Sequence, residues 1–142
     1  MGRYEFIPGV ALADLAFEVH AESLNELFSL SAQALFDAMV ELVDVRPEHE
    51  VRVSLTAEKL DNLLFDWLAE LVYQKDVDAQ LFSQFEVSIS ENGSCKLNAT
   101  VRGEPIDPAR HQLKTDVKAI TYHMFKLEKK SAGYYARVVL DT

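Results

Sequence analysis

The strongest constraint on the fold is a run of apolar residues that recurs at helical spacing between residues 60 and 71. The apolar side chains stand three and four positions apart, at Leu60, Leu63, Leu64, Trp67, Leu68 and Leu71. A repeat of 3.6 residues places all of them on one side of a helix. Such a helix needs a partner that covers its apolar side, so the sequence predicts a core helix with Asp61 and Asp66 facing solvent.

An earlier helix is predicted from Ser23 onward, because Ser23 and Glu26 form a capping box. A broad apolar stripe follows at Leu24, Leu27, Phe28, Leu35, Phe36, Met39, Val40 and Leu42. This spacing predicts a long helix that reaches Leu42 and buries one face. For the helix that contains Trp67, Thr56 is the predicted N-cap, with Glu58 near the positively polarised end.

Strands are predicted wherever apolar and polar residues alternate. These segments are Tyr4 to Ile7, Asp14 to His20, Val51 to Leu55, Phe82 to Ser90, Lys96 to Arg102, Ile120 to Lys129 and Tyr134 to Leu140. Pro8-Gly9 predicts a turn between the first two strands, and Asn92-Gly93 predicts a hairpin turn. Two helices set among these strands indicate an α+β fold in which both helices pack on a mostly antiparallel sheet.

The composition is that of an ordinary globular protein. The 142 residues are 49% hydrophobic and 26% charged, which predicts one domain spanning residues 1–142. No apolar stretch approaches the ~20 residues that cross a bilayer, and Met1 to Gly9 lacks the apolar region of a signal peptide. We therefore expect a cytoplasmic protein without membrane association. Cys95 is the only cysteine and is expected to be structural or incidental.

The formal net charge of −9 limits the partners that the chain can bind. Nucleic-acid binding depends on Lys and Arg displacing counterions from phosphates, and a strongly acidic chain is repelled at long range. We therefore expect no strong direct binding of nucleic acid. A cation or a basic protein partner fits the charge better.

The stretch from Gly103 to Phe125 contains the densest set of potentially functional side chains. Asp107 and Pro108 predict a turn that leads into a helical start. The polar residues beyond it are Arg110, His111, Lys114, Thr115, Asp116, Lys118, Thr121, Tyr122 and His123. From composition alone, the stretch is either an exposed connection or a functional segment.

The motifs of several enzyme classes are absent from the sequence. It contains no Gly-rich phosphate loop, no GxSxG and no HExxH, so nucleotide hydrolysis, nucleophilic catalysis and a zinc site at His111 and His123 lack support. Carboxylates make a separate case. If the strands of Asp14 and Asp141 are neighbours, their side chains and the carboxylate of Thr142 converge as hard oxygen ligands. Two ordinary surface aspartates are the alternative interpretation.

Several segments of the chain together resemble the archease family. They follow the family's order, as RYEF from residue 3, ADLAFEVHAESL from residue 13, ALFDAM from residue 34, LLFDWLAELVY from residue 63, RGEPIDPAR from residue 102, HQLKTDVKAITYH from residue 111 and YYARVVLDT from residue 134. Two positions depart from the family's pattern. The segment from Pro8 to Asp14 keeps Ala-Asp but lacks the preceding His-Thr, and Lys114 stands where a glycine is common.

The resemblance implies a non-enzymatic activator of the GTP-dependent tRNA-splicing RNA ligase, which promotes guanylylation and turnover of the ligase. It also implies a divalent cation, Ca²⁺ first and Mg²⁺ or Mn²⁺ as options, bound by Asp14, Asp141 and Thr142. We expect His111, Lys118 and His123 at the surface that docks on the ligase. The alternatives are a metal-dependent enzyme that acts on a phosphoester or nucleotide through Asp14, Asp141 and His111, and a module that binds a small molecule.

Overall fold

The structure is a computed structural model that describes residues 2–8 and 14–142. The elements in this part of the chain are β1 (Arg3–Ile7), β2 (Asp14–Ala21), α1 (Leu24–Met39), β3 (His49–Ala57), α2 (Leu60–Asp78), β4 (Gln80–Asn92), β5 (Ser94–Pro105), β6 (Ala119–Lys130) and β7 (Gly133–Asp141). A short 3-10 helix, Leu42–Asp44, follows α1. Each segment with period-two alternation therefore forms a strand, and the two segments with helical spacing form helices.

The strands form two antiparallel sheets. One sheet has the order β1-β2-β7-β6, and the other has the order β3-β5-β4. The predicted α+β fold with two helices on antiparallel strands is confirmed, although the strands are divided between two sheets. Sequence alternation identifies the buried face of a strand but not its neighbour, which is why the division was not foreseen.

The core lies where the helices meet the two sheets. α1 packs against β2 and β4, and α2 packs against β3 and β6. The largest fully buried side chains are aromatic and come from both helices and both sheets: Trp67, Phe17, Phe28, Phe36 and Phe82. The apolar stripes predicted for both helices therefore face this core. No helix within residues 2–8 and 14–142 has both the length and the apolar character needed to cross a membrane.

Two predicted helix boundaries are wrong. α1 ends at Met39, three residues before Leu42, because Val40 takes an extended conformation and pairs with Leu113 in an isolated bridge. Thr56 does not cap α2, because its backbone pairs with Lys96 within the sheet. The predicted N-cap of α1 is confirmed, since the Ser23 hydroxyl accepts a hydrogen bond from the Glu26 amide at 3.1 Å.

The predicted hairpin turn at Asn92-Gly93 is also confirmed. Asn92 pairs with Ser94 across Gly93, whose φ of 80° is a conformation that favours glycine. In the other predicted turn, Pro8 directly follows β1, whereas Gly9 lies outside the described residues, as do residues 10–13. Cys95 is buried in β5, as expected of a structural cysteine.

Candidate functional site

Asp14 and Asp141 are direct cross-strand partners at one end of the four-stranded sheet. β2 and β7 are antiparallel neighbours, and the register places Asp14 opposite Asp141. Residues that stand directly opposite each other point to the same face of a sheet, so the two carboxylates share one face. The neighbouring strand β6 continues this row, with Ala119 opposite Asp141. The two strands are therefore neighbours, which is the condition under which the two carboxylates were expected to converge.

The carboxylate pair lies next to a buried part of the same sheet face. Like charges directly opposite each other destabilise a sheet. Ala16 and Val139 lie two residues further along the same face and are fully buried, whereas Asp14 is half-buried and Asp141 is exposed. Two carboxylates at the border of a dry surface form a donor set that suits a hard divalent cation.

The remaining ligands would have to be oxygen donors of other kinds. Within residues 2–8 and 14–142, no three or more His, Cys, Asp or Glu side chains converge to hold a metal. Thr142 directly follows β7 and is half-buried, and its carboxylate is the predicted third ligand. The residues present therefore fit the predicted cation in chemistry and in register.

Residues 106–118, which we call the crossing segment, connect the two sheets and run to the carboxylate pair. The segment leaves β5 at one end, and at the other the Lys118 amide donates to the Asp141 carbonyl at 2.8 Å. The helical start predicted at Asp107 and Pro108 is wrong. The Asp107 carbonyl accepts from the amides of Arg110 and His111, which makes a single turn, and no helix follows.

The crossing segment does not continue as a helix because it caps the C-terminus of α1 instead. The last carbonyls of a helix have no partner within it. Here the Thr115 amide donates to the Ala38 carbonyl, and the Lys114 amide donates to the Met39 carbonyl. The Lys114 ammonium donates to the Asp37 carbonyl at 3.0 Å. Lys114 also pairs with the Asp37 carboxylate at 3.1 Å. A cation at this end of the helix adds a favourable interaction with the helix dipole.

This role explains why a lysine is tolerated where the family commonly has glycine. Among the described non-glycine residues, a positive φ occurs only at Ala79 and Met124, so the backbone at Lys114 does not require glycine. The Asp37 carboxylate that Lys114 contacts also accepts a hydrogen bond from the Tyr4 hydroxyl at 3.0 Å. Burial and this bond to Asp37 raise the pKa of Tyr4 to about 12.

Lys75 of α2 holds the next part of the crossing segment. Its side chain is 7% exposed, and its ammonium contacts Asp116 and Asp76 at 2.8 Å and the Val117 carbonyl at 2.8 Å. Burial alone would lower the pKa of Lys75, but the hydrogen bonds to Asp116 and Asp76 outweigh it and raise the pKa. The ammonium therefore stays charged and fixes the backbone at Val117, one residue before the Lys118 contact with Asp141.

A buried charged network anchors the start of the crossing segment. The Glu104 carboxylate accepts hydrogen bonds from Arg110, from the Arg46 amide at 2.7 Å and from His111 Nε2 at 2.9 Å. Burial alone would raise the pKa of Glu104. These hydrogen bonds outweigh burial and lower the pKa to about 2, and the bond from Arg110 contributes the largest part of the lowering. His111 Nδ1 accepts from the Asp107 amide at 2.9 Å, so Nε2 carries the proton and donates to Glu104.

His111 consequently does not lie on a docking surface. The residue is 4% exposed, and both of its ring nitrogens are occupied within the protein. The same contacts leave it no free nitrogen with which to act beside Asp14 and Asp141 in the enzyme hypothesis. Lys118 and His123, the other two residues predicted for docking, are both exposed.

His123 lies in a bulge of β6. Thr121 pairs with Val139, and the ladder resumes only where Lys126 pairs with Arg137, so four residues of β6 face Val138 alone. Met124 in this bulge has a φ of 57°, and Arg137 Nε donates to its carbonyl at 2.8 Å. An ordinary bulge adds one residue, and this one adds more. Period-two alternation continues through a strand without revealing such an insertion, so the bulge could not be predicted from the sequence.

Three side chains that position the crossing segment were not predicted from the sequence. They are Glu104, Lys75 and Asp37. A weak signal existed for Lys75, which is the only basic residue in the otherwise acidic helix α2. For Glu104 and Asp37 no local pattern distinguishes them from surface acids, because their partners are distant in sequence.

The fold and the site define a class of protein in which two helices and two antiparallel sheets bring an aspartate of the second strand beside one of the last strand. The model of the Archease protein family (MTH1598/TM1083) matches residues 4–142. The chain belongs to this family, as the sequence resemblance predicted.

Individual relatives agree with the family match. The chain is 41% identical to Protein archease of Methanopyrus kandleri over 130 residues, which cover 91% of this chain and 93% of the relative. It is 36% identical to Protein archease of Methanosarcina mazei over 141 residues, with 98% and 95% covered.

Solved structures with the same fold are also found. The solution structure of Methanobacterium thermoautotrophicum protein 1598 gives a TM-score of 0.86 at 35% identity, with 98% of both chains covered. The crystal structure of a Thermotoga maritima archease, described as a possible chaperone, gives a TM-score of 0.65 at 20% identity, with 96% of both chains covered. The second likeness, at this identity, supports the fold alone.

Proposed function

We propose that this protein is a metal-binding accessory protein that activates the GTP-dependent tRNA-splicing RNA ligase by promoting its guanylylation and turnover. Membership of the archease family supports an accessory role. The observation that carries the proposal is the pairing of Asp14 with Asp141 across β2 and β7.

In this proposal Asp14, Asp141 and the carboxylate of Thr142 hold a divalent cation, with Ca²⁺ expected first and Mg²⁺ or Mn²⁺ as options. The bound ion supplies positive charge that offsets the repulsion between the carboxylates and attracts phosphate oxygens. The protein's own groups fix the position of this site. β2 and β7 hold Asp14 and Asp141 in register, and the Lys118 amide holds the Asp141 backbone.

The charge of the chain suits a protein partner that itself binds RNA and GTP. Such a ligase needs a basic cleft, and the net charge of −9 favours approach to a basic surface. Lys118 is exposed beside the Asp141 backbone and would contact the ligase near the ion. No nucleophile or general base accompanies the carboxylate pair in this proposal, so the protein acts through the ligase.

The proposal is tested by mixing the purified protein with its cognate ligase, GTP and Ca²⁺, Mg²⁺ or Mn²⁺, and following covalent guanylylation of the ligase with radiolabelled GTP. The wild type should accelerate guanylylation and sustain multiple rounds of RNA joining. Asp14→Ala and Asp141→Ala should both lose this effect, and Glu91→Ala, which changes an exposed acid on β4, should keep it. Full stimulation by both aspartate variants would refute the role of the site.

Phosphoester or nucleotide hydrolysis by the protein without ligase would instead support the enzyme hypothesis. The same purified samples, incubated with GTP and with a generic phosphodiester in place of ligase, provide this measurement. Turnover that is lost in Asp14→Ala would be the result that favours an enzyme.

A further inference from the structure

The bulge of β6 displays an aromatic side chain that the fold itself does not need. Tyr122 is 68% exposed, although its ring lies parallel to that of Phe65 of α2, with 3.9 Å between centroids and an interplanar angle of 2°. Phe125 meets Phe65 edge-on at 5.5 Å and joins the hydrophobic core. We call Phe65, Tyr122 and Phe125 the aromatic platform. One face of the Tyr122 ring is stacked, and its other face is open to solvent.

The backbone of the β6 bulge adopts an unfavourable conformation at Met124. The left-handed conformation of Met124 is unfavourable for a non-glycine residue. Met124 is 42% exposed, so burial of its side chain does little to offset the strain. The bond from Arg137 to its carbonyl holds the bulge in this form. Strain that persists without a packing reason points to function. Within the described residues, the Tyr122 hydroxyl also makes no hydrogen bond, so its polar end is available to a partner.

The charges on α2 indicate what kind of group would bind the open face. The helix carries five acidic residues, Asp61, Asp66, Glu70, Asp76 and Asp78. Its single basic residue, Lys75, is buried against Asp76 and Asp116 and neutralises neither Asp61 nor Asp66. Asp61 lies one turn before Phe65 and Asp66 directly follows it, and both are exposed. The helical side of the platform therefore carries two exposed carboxylates.

An arginine matches this surface best. A guanidinium stacks on an aromatic ring and pairs with a carboxylate at the same time. A base of single-stranded RNA would use the same ring face, but the carboxylates of α2 would repel its phosphates. On the strand side, Lys126 is already paired with Glu128 and offers little attraction to phosphate.

We propose that the aromatic platform, with Asp61 and Asp66, is the surface on which an arginine-bearing segment of the ligase docks. The inference rests on the proposed function, because it names a contact surface for that function's partner. The complex then has two separate contact sites. The ion site acts on the chemistry of the ligase, and the aromatic platform determines the affinity of the protein for the ligase.

Binding of labelled ligase by the full-length protein, measured by biolayer interferometry, tests the inference. Tyr122→Ala should weaken binding about tenfold, as expected of an aromatic residue at the centre of an interface. Tyr122→Phe should stay near wild type, since it keeps the ring. Asp61→Lys with Asp66→Lys should weaken binding more strongly and reduce its dependence on salt. Tyr73→Ala is the matched control, because Tyr73 is another exposed tyrosine. It lies on α2, is 57% exposed and does not stack on Phe65.

Several results would overturn the inference. Wild-type affinity in Tyr122→Ala, or equal losses in Tyr122→Ala and Tyr73→Ala, would show that the platform is not the docking surface. Binding of a fluorescein-labelled single-stranded RNA that depends on Tyr122 would assign the platform to a base. A dimer in sedimentation velocity that Tyr122→Ala dissociates would assign it to a second copy of this chain.

The inference and the proposed function fail in different ways. If Asp141→Ala binds and stimulates the ligase normally while Tyr122→Ala does not bind, the ion site is wrong and the platform stands. If Tyr122→Ala binds and stimulates normally while Asp141→Ala does not stimulate, the platform is wrong and the proposed function stands. A wild-type protein that does not bind the ligase at all refutes both.

Discussion

The indole Nε1 of Trp67 donates a hydrogen bond to the carbonyl oxygen of Phe28 at 3.0 Å in the interior of the protein. This bond joins the two helices directly and satisfies the one polar atom of the largest buried side chain. Trp67 therefore both fills the core and fixes α2 against α1. The helical periodicity of residues 60 to 71 predicted its burial but not its partner.

Trp67→Ala should lower the free energy of unfolding by about 3 to 5 kcal/mol, because it leaves a large cavity and removes the bond to Phe28. Trp67→Phe should cost less, since it fills part of the space and removes the donor together with its need for a partner. Urea denaturation followed by far-UV circular dichroism measures both. A Trp67→Ala protein as stable as wild type would show that this face of α2 does not support the core.

Addition of millimolar Ca²⁺ should raise the melting temperature, since an ion that binds only the native state stabilises it by mass action. At a hundred times its Kd, an ion contributes about 2.7 kcal/mol. Asp14→Asn and Asp141→Asn should each abolish the rise, and the double variant should lose no more than either, because the two ligands act as a unit. Mg²⁺ and Mn²⁺ form parallel arms of the experiment.

The same variants should behave differently without metal. Removing one of two directly opposed carboxylates relieves repulsion across β2 and β7, so the melting temperature in EDTA should stay equal or rise slightly. A marked loss of stability in EDTA would mean that the aspartates support the fold rather than an ion.

Glu104 should make stability depend on pH in the acidic range. Its folded pKa of about 2 lies below its ordinary value of 4.5, so its contribution is present above pH 4.5 and is lost as pH falls toward 2. The difference in unfolding free energy between wild type and Glu104→Gln should therefore shrink as pH falls from 5 to 2.5. Urea midpoints across this range measure it, and Glu91→Gln, on an exposed acid, serves as the control. A constant difference would show that the carboxylate charge is not involved.

Met124→Gly should stabilise the protein by up to about 1 kcal/mol, because relief of a strain of roughly 1 to 2 kcal/mol exceeds the glycine backbone-entropy cost of roughly 0.5 to 1 kcal/mol, and Met124 buries little. The matched control is Lys129→Gly, at an exposed position of β6 that pairs regularly with Tyr134, and this change should destabilise by roughly 0.5 to 1 kcal/mol. Thermal unfolding by calorimetry compares the two. A loss of stability in Met124→Gly would mean that the side chain matters more than the backbone conformation.

Local patterns predicted much of the fold, because they depend on neighbouring residues. The period of 3.6 around Trp67 and the turn at Gly93 each specify an element from a few positions. The helix expected after Asp107 and the extension of α1 to Leu42 failed for one common reason. In both cases a tertiary interaction, the capping of α1 by the crossing segment, displaced a local preference.

The candidate site was only partly accessible from the sequence. Asp14 and Asp141 were selected through the family resemblance, and their direct pairing required knowledge of the strand order. His111 was expected at the docking surface, yet Glu104 and the Asp107 amide satisfy both of its nitrogens in the interior. Burial of a polar side chain depends on partners that alternation and spacing do not reveal.

The position of β2 between β1 and β7 has a consequence for the protein as it is synthesised. β2 leaves the ribosome long before β7, and at 5 to 20 residues per second the wait is on the order of ten seconds. During that time β2 is unpaired on the side that β7 later covers, and Phe17 and Val19 lack their final cover. The sheet of β3, β5 and β4, whose strands lie closer together in the chain, can assemble first. The nascent chain should therefore expose an unpaired, partly apolar strand edge until β7 arrives, and such an edge is a binding site for general chaperones.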